Sequence, residues 1–224
     1  MDFRDIVRQT PAVRRFRDDP IDDRLVSEIL DDARFAPSGG NRQGWHVVVV
    51  KDATIRRALR ELYVPCMEQY LRLATAGMTP FSPLNDRDLE VAALATPTSA
   101  PNTFAEHLDE APVLLVVLAD LNTLAAVDRD LPRYSFAGGA SVYPFVWSIL
   151  LSARARGVGG VMTTVGVLVE PQILELMGAP SDFALASIVA LGRPVVEVSK
   201  LKRGTVSSFS TVDRFDGSAL ADPD

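Results

Sequence analysis

Ala36-Pro37-Ser38-Gly39-Gly40-Asn41-Arg42-Gln43-Gly44-Trp45 joins a helix to a strand. Upstream, residues 21–36 carry a helical period, with Leu25, Ile29, Leu30 and Ala33 on one face. Asp22 or Asp23 can cap the start, and Pro37 stops the helix. Downstream, Trp45-His46-Val47-Val48-Val49-Val50 is rich in β-branched residues and apolar on both faces, as a central strand requires. The paired glycines Gly39 and Gly40 let backbone approach a ligand closely. Ser38, Asn41 and Gln43 add hydroxyl and amide groups that match the polar atoms of a ribityl chain or a pyrimidine edge.

Outward from this unit the pattern continues. Residues 53–73 read as a second helix, which Pro65 is expected to interrupt or end in part. Residues 74–103 lose periodicity around Gly77, Pro80, Pro83, Pro97 and Pro101, and read as a mobile insertion or lid. Residues 113–119 give a second buried strand and residues 185–191 a third. Between them lie a long apolar helix over 137–156, a short strand or turn over 161–164, and a helix over 171–177 stopped by Gly178. The tail after Val195 is polar. Helices outnumber strands and do not alternate with them strictly, so the fold class is α+β, in one domain spanning 1–224.

Composition bounds the function. The chain has 224 residues, 47% of them hydrophobic and 23% charged, with a formal charge of −6. That is a globular composition, and no run of Lys and Arg offers a nucleic-acid footprint. Residues 1–9 have no apolar core of a signal peptide, and the longest apolar stretch, 112–119, is too short to cross a bilayer. A cytoplasmic protein without membrane or nucleic-acid partners is the expectation. Cys66 is the only cysteine, which leaves no thiolate cluster for a metal, and in its helical context it reads as inert. His46 lies in a strand and His107 in an acidic segment, and nothing places either in a nucleophilic triad. No P-loop is present. Gly157-Val158-Gly159-Gly160-Val161-Met162 follows a helix and has Met162 where a dinucleotide fingerprint needs its third glycine. With no catalytic side chain evident, the reactive atom should belong to a cofactor.

Three further segments add to the 36–45 loop. Thr10-Pro11-Ala12-Val13-Arg14-Arg15-Phe16-Arg17 brings arginines that can grip a phosphate, although alone they read as a solvated patch. The threonines of Gly157-Val158-Gly159-Gly160-Val161-Met162-Thr163-Thr164 can present hydroxyls after a glycine-rich turn. Lys200-Leu201-Lys202-Arg203 offers a late basic cluster.

In this order the four segments resemble the nitroreductase family, with its Arg-rich N-terminal motif, Ala-Pro-Ser-x-x-Asn-x-Gln-Pro-Trp loop, Gly/Thr turn and late basic residue. The resemblance runs from about residue 3 to 203. It implies a mostly antiparallel sheet flanked by helices, an intertwined homodimer, and FMN reduced by NAD(P)H in ping-pong turnover with a small organic acceptor. By similarity, Arg14 and Arg203 would hold the phosphate, Ser38 and Gly39 would lie beside the flavin, Asn41 and Gln43 would contact its polar atoms, and Thr163 and Thr164 would sit near the ring. Relatives begin the first motif Arg-Arg-Ser-x-Arg, whereas Thr10, Pro11 and Ala12 stand here, so the phosphate grip would lean on Arg14, Arg203 and Lys202 or Arg8. Gly44 replaces the proline before Trp45, which should loosen the loop. A dehalogenase, a flavin-fragmenting synthase and a flavin-sequestering protein are the alternative activities.

Overall fold

A computed structural model describes residues 2–97, 102–197 and 200–223. Among these, β1 (Trp45–Val49), β2 (Val113–Asp120), β3 (Gly159–Thr163) and β4 (Phe183–Gly192) form one antiparallel sheet in the order β1-β2-β4-β3. Trp45 lies opposite Ala119, Val113 opposite Leu191, and Thr163 opposite Ile188. The two central strands are buried on both faces, which is why β2 and β4 read as unbroken apolar runs.

Each face of the sheet carries its own helices. Leu115, Val117, Val189 and Leu191 pack against α2 (Asp23–Ala33) and α6 (Tyr143–Ala155), through Ile29, Phe145 and Ile149. On the other face Leu114, Val116 and Ile188 meet Leu59 and Tyr63 of α3 (Ala53–Thr75), Phe104 of α5 (Thr103–Glu106) and Ile173 of α7 (Glu170–Met177). Each fully buried Val, Leu or Ile contributes about 1.5–3 kcal/mol, and both faces draw on such residues from β2 and β4. Asp22 starts α2 by accepting from Leu25 N at 2.8 Å. The sheet, its flanking helices and the α+β class agree with the sequence reading.

Three expectations need correction. Pro65 does not interrupt α3, which runs unbroken for 23 residues. Pro65 and Glu61, the residue whose carbonyl loses its donor, are both exposed, so solvent can satisfy that carbonyl. Second, the segment after α3 is not wholly irregular: α4 (Arg87–Ala95) forms within it and packs on α3. Asp86 caps it at Asp88 N and Leu89 N, and Arg72 Nη1 donates to Leu94 O at 2.8 Å. Its buried residue is Glu90, held by Asn85 and Arg87, while Leu89 and Val91 face solvent; an inverted pattern of this kind defeats apolar periodicity. Residues 98–101 of that expected lid lie outside the described residues. Third, the long apolar helix begins at Tyr143, not Ala137. Ala137–Ser141 is a 3-10 turn, and Pro144 fits only the first turn of the α-helix that follows.

The N-terminal α1 (Phe3–Arg8) leads into an extended segment laid along the sheet edge. Val13 N donates to Gly160 O at 2.9 Å, and Arg17 N to Arg193 O at 2.8 Å. A Cβ on Gly159 would stand 2.7 Å from a Val13 methyl, so glycine there permits the close approach that positions Arg14.

Candidate functional site

The loop between α2 and β1 is held in an unusual backbone. Gly40, Asn41 and Gln43 have φ of 61°, 53° and 51°. Two non-glycine residues in the left-handed region within so short a loop carry strain that the surroundings must enforce. The enforcing bonds are local and long-range. Gln43 N donates to Ser38 Oγ at 2.9 Å, and Gly39 N to Ser141 Oγ at 3.0 Å from the turn before α6. Trp45 closes the loop by stacking on Phe145, with ring centroids 4.5 Å apart. The side chains of Asn41 and Gln43 stay exposed and meet each other only at 3.3 Å, which leaves most of their amide capacity free. Gly44 does not loosen this loop. It is buried, its carbonyl accepts from Asp120 N, and a Cβ there would overlap the Thr123 hydroxyl.

A second group forms at the end of β3. Thr163 Oγ1 lies 2.8 Å from the hydroxyl of Tyr63, which is fully buried on α3. Burial pushes the Tyr63 phenol above its ordinary value, while the Thr163 hydrogen bond and the nearby Arg14 charge pull it back. Arg14 is exposed and lines a cleft of about 440 Å³ with Phe16, Phe104 and His107. Thr164 follows as an exposed residue before the 3-10 turn Val165–Val169, its carbonyl accepting from Val167 N.

Arg203 belongs to a third place. It lines a cavity of about 820 Å³ with Arg8, Lys200, Thr10 and Trp147, and its guanidinium donates to the Lys202 carbonyl at 2.8 Å. Arg14 is not among the residues lining this cavity. The structure thus keeps the two arginines in different clefts. It also separates the 38–43 loop from Thr163. β1 and β3 are the opposite edges of the sheet, and the register sets Thr163 level with Ile188, Val116 and Val48, three residues along from Trp45 at the loop end. Three strand spacings of about 4.8 Å already separate the two edges by about 14 Å.

Several of these residues escaped the sequence reading. Tyr63 shares a face with Leu59 and Cys66 at helical spacing, a signal that could have marked it as buried but not as polar-paired. Ser141, Thr123 and Trp147 carried no local signal. Asp128 is the anchor of the turn ahead of α6: buried, it accepts from Arg133 Nη1, Ser135 Oγ and Phe136 N at 2.7, 2.7 and 2.9 Å. Those donors, led by the Phe136 amide, hold its carboxyl far below the usual carboxylate range. The two histidines and the cysteine are placed as follows. His107 is paired with Glu110 at 2.9 Å, His46 packs edge-on to Phe183, and burial pushes the Cys66 thiol up.

The family model "Nitroreductase family" matches residues 7–193 of the chain. An NADH dehydrogenase from Thermus thermophilus is 30% identical over 213 residues, covering 83% of each chain. A 5,6-dimethylbenzimidazole synthase from Rhodospirillum rubrum is 29% identical, with 81% of this chain and 77% of the relative covered. Among solved structures, oxidized iodotyrosine deiodinase bound to FMN and 3-iodo-L-tyrosine superposes with a TM-score of 0.63 at 22% identity. That superposition covers 95% of this chain and 98% of the other.

Proposed function

Because the chain belongs to the nitroreductase family, we propose that it is an FMN-dependent oxidoreductase moving electrons from NAD(P)H to a small organic acceptor such as a nitroaromatic, a quinone or an activated alkene. The carrying observation is the division of donors between the two edges of the sheet. One loop offers the amides of Asn41 and Gln43, the far edge offers Thr163 paired with Tyr63, on whose phenol the Arg14 charge acts, and a separate cavity gathers Arg8, Lys200 and Arg203, which form no ion pair with the described residues. The set suits FMN, which has a hydrogen-bonding pyrimidine, an electron-rich edge and a phosphate dianion. When bound, FMN supplies the hydride-accepting atom that the side chains lack.

The roles divide accordingly. Arg203 and Lys200 would take the phosphate; Arg14 would face the ring, where positive charge stabilises the electrons it gains. Thr163 and Thr164 would lie beside that ring. Ser38 and Gly39 would set the second loop against it, with Asn41 and Gln43 reaching its polar atoms. A gap of about 14 Å between β1 and β3 is hard for one flavin edge to bridge. The loop of a second copy would therefore complete each site, making the protein a homodimer. Exposed Phe3, Trp147, Phe209 and Phe215 give that partner apolar surface to cover. Segment 74–103 would shape the acceptor pocket.

The visible spectrum of the purified protein is the first test, followed by stopped-flow mixing with NADH and NADPH. Bound flavin released as FMN on denaturation and bleached by a nicotinamide donor supports the reading. A colourless protein that takes up no added FMN overturns it. Flavin that no nicotinamide donor reduces makes it a sequestering protein, and turnover of halotyrosines moves it to the dehalogenases. Light scattering at the mass of one chain with FMN present contradicts the dimer.

A further inference from the structure

We propose that helix α1 supplies a phosphate cation, Arg8, in place of the arginines its N-terminal motif lacks, and that Asp5 on the same helix weakens the site it builds. The inference rests on the FMN reading and deepens it.

Many arginines of this chain are matched with carboxylates, as Arg87 is with Glu90, Arg133 with Asp128, and Arg156 with Asp32. Around the 820 Å³ cavity the balance differs. Arg8, Lys200 and Arg203 line it, and none of them forms an ion pair with the described residues. Three cations against one carboxylate, Asp5, leave the cavity net positive, an arrangement that a bound dianion relieves. Trp147 and Leu201 give the cavity an apolar wall beside the charges.

Thr10 stands where the resemblance expects the first arginine, and its own bond shows why it cannot replace one. Its hydroxyl donates to Ile6 O at 2.6 Å and it is 6% exposed, so it faces back into the end of α1. The same bond fixes the last turn of α1, the turn that carries Arg8. Gln9 N adds bonds to Asp5 O and Ile6 O. The cation thus arrives two residues earlier in the chain, on a helix whose end is tied down. Lys202, the other candidate from sequence, is exposed and does not line the cavity.

Asp5 lines the cavity as well. A carboxylate facing a phosphate opposes binding, so its removal should strengthen FMN affinity. A merely structural role for α1 makes no such prediction.

Full-length protein freed of flavin is titrated with FMN and with riboflavin, following flavin fluorescence, for wild type, Arg8→Gln, Arg8→Lys and Asp5→Asn. Wild type should bind FMN more tightly than riboflavin. Arg8→Gln should raise the FMN dissociation constant about ten- to a hundredfold and leave riboflavin unchanged, with Arg8→Lys recovering most of the loss. Asp5→Asn should lower the FMN constant about two- to fivefold, again without touching riboflavin. Equal losses for both ligands in Arg8→Gln, or no loss for either, overturn the inference while FMN binding by wild type upholds the reading beneath it. Wild type that binds riboflavin as tightly as FMN also overturns the inference and leaves a flavin protein standing. Wild type that binds neither flavin overturns both.

Discussion

The Tyr63 hydroxyl stands 2.8 Å from Thr163 Oγ1 and ties α3 to the outer strand of the sheet. The two ends of this bond are not equivalent, because Tyr63 is fully buried while Thr163 is only half-buried. Tyr63→Phe removes one partner and leaves Thr163 able to reach water, so it should cost about 1 kcal/mol. Thr163→Val keeps the shape but strands the phenol hydroxyl in the core, which should cost about 1–3 kcal/mol. Urea unfolding of the two variants measures both, read as a shift in midpoint at constant slope. An equal or reversed order would mean that solvent reaches the phenol.

Gly44 and Thr123 compete for one volume. The Thr123 hydroxyl donates to Asp120 O at 2.9 Å and fills the space that a Cβ on residue 44 needs. Gly44→Ala is expected to destabilise the protein by about 1–3 kcal/mol through overpacking. Adding Thr123→Ala should return part of that loss, so the double mutant is more stable than the two single effects summed. Strict additivity in thermal or denaturant unfolding would show that the loop relaxes around the new methyl.

Asp128 should set part of the acid sensitivity. Its carboxyl titrates far lower in the folded protein than the unfolded value of about 3.9. A depressed folded value contributes stability that is complete above the unfolded pKa and is lost as pH falls below it toward the folded one. Wild type should therefore lose stability between about pH 4 and 2, and Asp128→Asn should show a shallower decline there and a lower plateau at pH 7. Urea midpoints measured across that range decide it. Parallel curves would remove Asp128 from the account of acid unfolding.

What could be read from sequence was whatever local chemistry determines. The apolar runs of β2 and β4 announce burial on both faces, and Asp22 with Pro37 brackets α2 to within a few residues. The 36–45 loop drew notice through its glycines and amides. Pro65 misled because the rule against proline in helices assumes a carbonyl without water, and exposure removes that assumption. Helix α4 stayed hidden because it buries Glu90 and exposes Leu89 and Val91. The sorting of cations was the least legible part. Arg8 and Arg203 share a cavity through the path of the chain ends, and the docking of Val13 against Gly159 keeps Arg14 near enough for its charge to act on Tyr63. No local pattern encodes either placement.

That sorting separates the two arginines by experiment. Arg203 shares its cavity with Arg8 and Lys200, so Arg203→Ala should weaken FMN by about ten- to a hundredfold and spare riboflavin, which has no phosphate. Arg14 lies in the other cleft, close enough for its charge to act on the Tyr63 phenol. Arg14→Ala should therefore weaken FMN and riboflavin by similar factors, since the ring and its charge-bearing edge are common to both. Losing a cation there should also make the flavin harder to reduce, which lowers its midpoint potential. Arg203→Ala, acting on the phosphate, should leave that potential unchanged. Flavin titrations and a dye-equilibrated redox titration of the two variants provide four readouts. A loss confined to FMN in Arg14→Ala, with an unaltered potential, would place both arginines on the phosphate and undo the division between the clefts.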